Sequence, residues 1–231
     1  MRKRKAKNEH LDDIITIDGP VGVGKSTVAK IISEKLGYTY LDTGAMYRAF
    51  SLKIIREKIP IDDVQKISSL FTRTKISFDG NRVFLDGEDV SSLIRTREIE
   101  EIVSSISSIP EVRRYMVSLQ REIASKGKVI MEGRDCGTVV SPNARYKFYL
   151  DASVEERARR RLLDKKYQNQ NLTLEEVMKM IEIRDNMDKT RKDSPLTVPK
   201  DAIVINTDGL NVNDVVNAII EFITSYKNTS V

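Results

Sequence analysis

The stretch Ile14-Ile15-Thr16-Ile17-Asp18-Gly19-Pro20-Val21-Gly22-Val23-Gly24-Lys25-Ser26-Thr27 decides how this chain is read: a short apolar run breaks into glycines, a lysine and two hydroxyls. That order predicts a strand, a loop and a helix. Gly19, Gly24, Lys25 and Ser26 fit the pattern G-x-x-x-x-G-K-[ST], in which glycines let successive backbone N–H groups turn inward around nucleotide phosphates. Residues Gly19 to Thr27, with Pro20, Val21, Gly22 and Val23 between the anchors, form the expected ATP cradle. Lys25 adds a cation, and Ser26 offers its hydroxyl to a Mg²⁺ held largely through phosphates and water. Val28, Ile31, Ile32 and Leu36 follow at helical spacing, so the helix start directs its partial positive charge at the same phosphates. A glycine-rich turn with an unrelated lysine is the alternative, but the motif lies between strand and helix, as a phosphate loop requires.

With 231 residues, 40% hydrophobic and 32% charged, the chain is able to bury one substantial core and carry a small inserted lobe. A net charge of +5 is compatible with nucleic acid, and equally with an arginine-lined pocket for a small phosphate-bearing substrate. Cys136 is the only cysteine, which excludes an internal disulfide and suits a reducing cytoplasm. No apolar stretch approaches membrane-spanning length, so a cytoplasmic protein with no membrane partner is expected. Residues 1–12 read as a basic, disordered tail rather than an RNA-binding arm, leaving 13–231 as a single domain.

Strand-like runs at 38–41, 128–132, 146–150 and 202–206 join the first strand and alternate with helical patterns at 46–54, 97–107, 110–126, 153–193 and 212–226. This predicts an α/β fold: a doubly wound, five-stranded parallel sheet with flanking helices and ligands at the strands' carboxyl ends. Between 60 and 92 the pattern changes, with two strand-like runs, Lys75-Ile76-Ser77-Phe78 and Arg82-Val83-Phe84-Leu85, and turns at Asp79-Gly80-Asn81 and Asp86-Gly87. A small inserted antiparallel β lobe over about 60–95 is expected there. The charged helical region is broken at Gln168-Asn169-Gln170-Asn171.

The chemically loaded residues follow strands or occupy these charged helices. Arg48 lies just after Thr43, and Arg134 and Asp135 follow the third strand of the parallel sheet. Arg157, Arg160 and Arg161 recur at i, i+3, i+4, and Arg184, Asp188 and Arg191 at i, i+4, i+7, so each set shares a helix face. Taken singly, either face could be a solvated surface and the Arg134-Asp135 pair a turn closure.

Together these clusters resemble the bacterial cytidylate kinases, members of the P-loop nucleoside monophosphate kinases. The resemblance runs from Ile14 to about residue 217. It rests on Ile17-Asp18-Gly19-Pro20, Asp42-Thr43-Gly44-Ala45-Met46-Tyr47-Arg48, Gly87-Glu88-Asp89-Val90-Ser91 with Ile94-Arg95-Thr96, Pro110-Glu111-Val112-Arg113, Gly133-Arg134-Asp135-Cys136-Gly137-Thr138-Val139-Val140, and the Arg184, Asp188, Arg191 spacing. It implies Mg²⁺-dependent transfer of the γ-phosphoryl group of ATP to CMP or dCMP, giving CDP or dCDP. It further implies a core, a monophosphate-closing lobe and a helical lid over about 155–171.

Carried over by residue, Thr43, Arg48, Arg134 and Arg191 hold the acceptor phosphate, and Arg184 and Asp188 reach the sugar. Ser104, Arg113 and Asp135 read the base. Lys25, Arg48, Arg134 and Arg191 form the catalytic set, and Arg157 and Arg161 contact ATP phosphates. Arg160, on the same helix face, is open to two readings, a further contact or a surface residue. A monomer acting on small nucleotides, without nucleic acid, is expected. The family often has serine at the position of Thr43 and sometimes a non-hydroxyl at that of Ser26; both departures keep or add a hydroxyl. The rival readings are a UMP or AMP kinase, a P-loop switch protein, against which stands the absence of N-K-x-D, and an RNA-binding ATPase, against which stand 6% aromatics and no tryptophan.

Overall fold

A computed structural model describes residues 14–164 and 172–229. The apolar run before the phosphate loop forms strand β1 (Ile14–Asp18), buried at all five residues because helices cover both faces. It is the centre of a parallel sheet in the order β2-β6-β1-β7-β8, with β2 (Thr39–Asp42), β6 (Val129–Gly133), β7 (Tyr146–Asp151) and β8 (Ile203–Asn206). The register sets Asp18 beside both Gly133 and Tyr149, so the carboxyl ends of the three central strands are level. These are the five expected strands, and β6 extends one residue further than the sequence pattern indicates.

Alternation along the strands divides the core in two. Ile14, Leu41, Val129 and Met131 pack with Met46 and Phe50 of α2 (Thr43–Arg56) and with Val112 and Met116 of α5 (Pro110–Ala124). Ile15, Ile17, Ile130 and Phe148 face the other way, against Val28 and Ile32 of α1 (Lys25–Leu36) and Val216 and Ile219 of α8 (Val212–Thr229). One-residue steps that change face are what a doubly covered sheet demands.

The interval 60–95 holds more than the antiparallel sheet. Strands β3 (Ile76–Asp79), β4 (Arg82–Leu85) and β5 (Glu88–Asp89) form it, with β4 in the middle and Val83 and Leu85 packed on Ala45 and Ala49 of α2. Before it comes a helix the sequence pattern missed, α3 (Val64–Ser69), capped by Asp63, whose carboxylate accepts from the Lys66 amide at 3.0 Å. Its Ile67 joins the main core rather than the inserted sheet. Next to it, Phe71 stacks on Tyr115 with ring centroids 4.5 Å apart.

Helix α4 (Arg97–Ser108) and the pair α6 (Val154–Leu163) and α7 (Leu174–Thr190) frame the sheet's carboxyl end. Ser153 caps α6, and Thr173 with Glu176 forms a reciprocal capping box on α7. The expected basic tail, the break at 168–171 and the far part of the 155–171 lid lie outside the described residues. Among those described, no helix is long and apolar enough to cross a membrane.

Gly19 is where the sheet and the phosphate loop press closest. Its φ is +152°, and a Cβ there would lie 2.1 Å from the Leu150 carbonyl oxygen. Gly80 has φ +56° in an open turn, with nothing within 4 Å of an added Cβ. Gly19→Ala is therefore expected to cost ~2–3 kcal/mol of stability and Gly80→Ala ~1 kcal/mol, read as urea midpoints. Equal losses would contradict the close approach.

Candidate active site

Helix α1 starts at Lys25, directly after Gly24 (φ +94°), with no acidic residue in its first turn to compete with an anion. The Lys25 ammonium is 5% exposed and donates to the Pro20 carbonyl at 2.7 Å, folding back over the loop. Burial and the neighbouring Arg134 lower its pKa to about 7. An arriving phosphate would restore the full charge, because an opposite charge favours the protonated amine.

Ser26 donates its hydroxyl to Glu132 Oε1 at 2.6 Å, and the Tyr40 hydroxyl donates to the same oxygen at 3.3 Å. Burial, with Asp42 nearby, pushes the Glu132 carboxyl above its usual range. Ser26 Oγ and Glu132 are hard oxygen donors beside the phosphate loop, and no cluster of three or more metal-binding side chains occurs among the described residues. Such a sparse donor set fits Mg²⁺, which keeps several waters and takes substrate phosphates as ligands.

Across the sheet end, Asp42 accepts from the Ala45 amide at 2.8 Å and caps α2, which fixes Thr43 at the first helical position. The Thr43 hydroxyl donates to the Glu132 carbonyl at 2.7 Å. Arg134 follows β6 and donates from Nε to Asp188 Oδ2 at 2.8 Å; Arg184 Nε reaches the same oxygen at 3.4 Å, and Arg191 Nη1 reaches Oδ1 at 3.3 Å. Burial alone would raise the Asp188 pKa, but the three guanidiniums hold it down to about 2. Burial, with Arg134 and Arg48 close by, lowers Arg184 to about 10 despite Asp188. Arg48 Nε is buried and has no hydrogen-bond partner among the described residues. Three guanidiniums around one carboxylate, with Arg48 close to Arg184, leave an excess of positive charge suited to a phosphate.

Arg113 is 2% exposed and donates to Asp135 Oδ2 at 2.6 Å and to the Ser107 carbonyl at 3.1 Å. Its guanidinium lies over the Tyr47 ring at 5.3 Å. The Asp135 loop is anchored from below by Asp18, whose carboxylate accepts the Cys136 amide at 2.9 Å and the Gly137 amide at 2.7 Å. Burial pushes Asp18 up to about 6 in spite of those donors.

A cleft of about 1670 Å³ runs between the phosphate loop and α4, with Arg48, Ser104, Arg134, Arg161 and Arg184 in its wall. Thr43, Arg113, Asp135, Asp188 and Arg191 are buried in the layer behind. Arg161 reaches from α6 to Glu100 of α4 at 3.5 Å, across the cleft. Arg160 is not a surface residue: it is half-buried in the cleft wall, held by Glu156 at 2.8 Å and by the Thr207 hydroxyl and carbonyl at 3.0 and 2.6 Å. Arg157 is engaged on the outer side of the loop, by the Val21 and Ala152 carbonyls and by Asp185. Sequence reasoning assigned no role to Asp18, Glu132 or Asp185. Asp18 ends β1 and Glu132 is the penultimate residue of β6, each beside a known motif, a signal that was available; Asp185 lies one residue from Arg184 and carried none.

The family model described as cytidylate kinase matches residues 15–225. The chain is 52% identical over 215 residues to the cytidylate kinase of Caldanaerobacter subterraneus subsp. tengcongensis, covering 93% of this chain and 95% of that one. It is 46% identical over 216 residues to the cytidylate kinase of Carboxydothermus hydrogenoformans, covering 90% and 96%. Among solved structures, a shikimate kinase from Bacteroides thetaiotaomicron shares the fold at a TM-score of 0.51 and 16% identity, over 91% of this chain and 98% of that one.

The arginine cluster generates a stability prediction. Asp188 has a folded pKa of about 2 against an ordinary 3.8, so its stabilisation is complete above 3.8 and is lost as pH falls towards 2. Asp188→Asn should cost ~2 kcal/mol at neutral pH, a difference that vanishes in acid. Urea unfolding of both proteins across that range checks it; a difference independent of pH would contradict the ion pairing.

Proposed function

We propose that this chain, which belongs to the cytidylate kinase family, transfers the γ-phosphoryl group of ATP to CMP or dCMP and releases ADP with CDP or dCDP. One observation supports this most directly: the end of β6 serves both halves of the cleft. Glu132 holds Ser26 of the phosphate loop, and two residues on, Arg134 joins the Asp188 arginine cluster. A donor cradle and an anion site thus share one strand end, an arrangement that supports two phosphates held side by side.

The attacking group is already a phosphate oxygen, so the reaction needs no general base. What it needs is alignment and cancellation of charge on the transferring group. Lys25, Arg48, Arg134 and Arg191 do this as donors held in place before the reaction. Mg²⁺, when bound, neutralises charge on the donor phosphates, with Ser26 and Glu132 as the protein oxygens that would hold it. Arg184 and Asp188 take the sugar. Arg161 closes towards ATP from α6, while the lobe over about 60–95 closes over the monophosphate. Enclosure excludes water and protects ATP from hydrolysis. A cytoplasmic monomer acting on small nucleotides completes the reading, and sedimentation of the purified protein tests the monomer.

Offering each nucleoside monophosphate separately with Mg²⁺-ATP should give rapid ADP formation with CMP and dCMP and slow formation with UMP or AMP. Hydrolysis of ATP at an undiminished rate without any monophosphate would sink the kinase reading. Lys25→Ala and Arg134→Ala should each lower kcat by ~10²-fold or more, as removal of one preorganised donor does. A raised KM for CMP at unchanged kcat would reassign Arg134 to binding alone.

Base choice follows from donor polarity. Cytosine presents a donor amine and an acceptor ring nitrogen, and uracil the reverse. Asp135 accepts and Arg113 donates, which matches cytosine. Asp135→Asn should therefore lower kcat/KM for CMP far more than for UMP, since each unpaired buried group costs ~1–3 kcal/mol. An unchanged ratio of the two would leave Asp135 as no more than the anchor of Arg113.

A further inference from the structure

Val21, at the outer bend of the phosphate loop, is held at three points by the α6–α7 pair. Its side chain packs into the small apolar cluster of Ala158, Val177 and Ile181 that joins the two helices. Its amide donates to Asp185 Oδ1 at 3.2 Å, and its carbonyl accepts from Arg157 Nη1 at 3.0 Å. The same Arg157 nitrogen donates to Asp185 Oδ2 at 2.6 Å, so carboxylate, guanidinium and the backbone of one residue close a ring. Arg157 Nε is fixed in turn by the Ala152 carbonyl at 3.1 Å. Both Arg157 and Asp185 are buried. The approach is close, since a Cβ on the next residue, Gly22, would lie 3.5 Å from Arg157 Cβ.

We propose that Arg157 and Asp185 are positioning residues that clamp the phosphate loop at Val21 and so set its amides for the ATP phosphates. This rests on reading that loop as the ATP cradle. Neither residue need touch nucleotide, because Nε and Nη1 of Arg157 are already taken by protein acceptors. The clamp also has a direction. Asp185 sits on α7 between Arg184 and Asp188, so one helix grips the donor loop and, a turn further on, the acceptor arginines. A rod fixed at both sites keeps the two phosphates in register, and small displacements in that register are costly for in-line transfer. Isolated glycine-rich loops are conformationally free; this one is tied down from outside, leaving its inner face to the ligand.

The test is ATP binding by calorimetry, without monophosphate, to the full-length protein and to Asp185→Ala, Asp185→Asn and Arg157→Lys. CMP binding to the same proteins is measured beside it. Asp185→Ala should weaken ATP binding ~10-fold or more and lower kcat, with CMP affinity within about twofold of the parent. Asp185→Asn, whose amide oxygen can still accept the Val21 N–H, should recover most of the ATP affinity. If Asp185→Ala does not fold, Arg157→Lys, which keeps the charge and the stem against Gly22 but loses the fork, is expected to weaken ATP and spare CMP. Unchanged ATP affinity, ATP and CMP affinities falling together, or an asparagine variant no better than alanine would each overturn the clamp. Since ATP binding is read without any acceptor, this outcome is separate from whether CMP is the substrate.

Discussion

A single buried carboxylate organises the chemistry-bearing end of the molecule. Asp18 closes β1 and is wholly inaccessible, yet it takes the amides of Cys136 and Gly137 and so ties the loop after β6 to the strand that launches the phosphate loop. Burying that charge is unfavourable enough to raise its pKa to about 6. The two amides supply the compensation a buried acceptor requires. Because β1 and β6 are in register up to Asp18 and Gly133, this bond fixes donor and acceptor elements over a span of one residue. The close approach of Gly133 continues the same constraint, since a Cβ there would lie 2.4 Å from the Thr43 hydroxyl.

The second constraint is charge. The cleft gathers Lys25, Arg48, Arg134 and Arg184, with Arg191 buried just behind them, in a space where like charges repel and water is scarce. Asp188 is the counterweight, and its position among three guanidiniums keeps them together while their remaining N–H groups stay available. Burial first, and the neighbouring Arg134 guanidinium second, lower the pKa values of Lys25 and Arg184, and an incoming phosphate would favour their charged forms.

Much of this was legible in the sequence, for local reasons. The phosphate loop, the strand-helix alternation and the polar residues at strand ends are written in short windows, so the sheet and the placement of Arg48, Arg134 and Asp135 follow from reading along the chain. What was missed depends on contacts between distant segments. Helix α3 is six residues long, and only its packing through Ile67 gives it stability. The π-helical turn Cys136–Val140 exists because Asp18, 118 residues earlier, holds its first amide. Arg157 shows helical spacing with Arg160 and Arg161, yet turns to the outside of the loop because Val21 and Asp185 offer it acceptors there. Periodicity identifies a face; it cannot say which of its residues finds a partner 136 positions away.

The most direct measurement concerns the shared cleft itself: binding of a bisubstrate analogue joining adenosine and cytidine through five phosphates. If donor and acceptor phosphates meet between Lys25 and Arg134, the analogue should bind one per chain, displace both ATP and CMP, and bind ~10²-fold tighter than ATP alone. An affinity no better than that of ATP, with CMP still able to bind alongside, would contradict a single site serving both nucleotides.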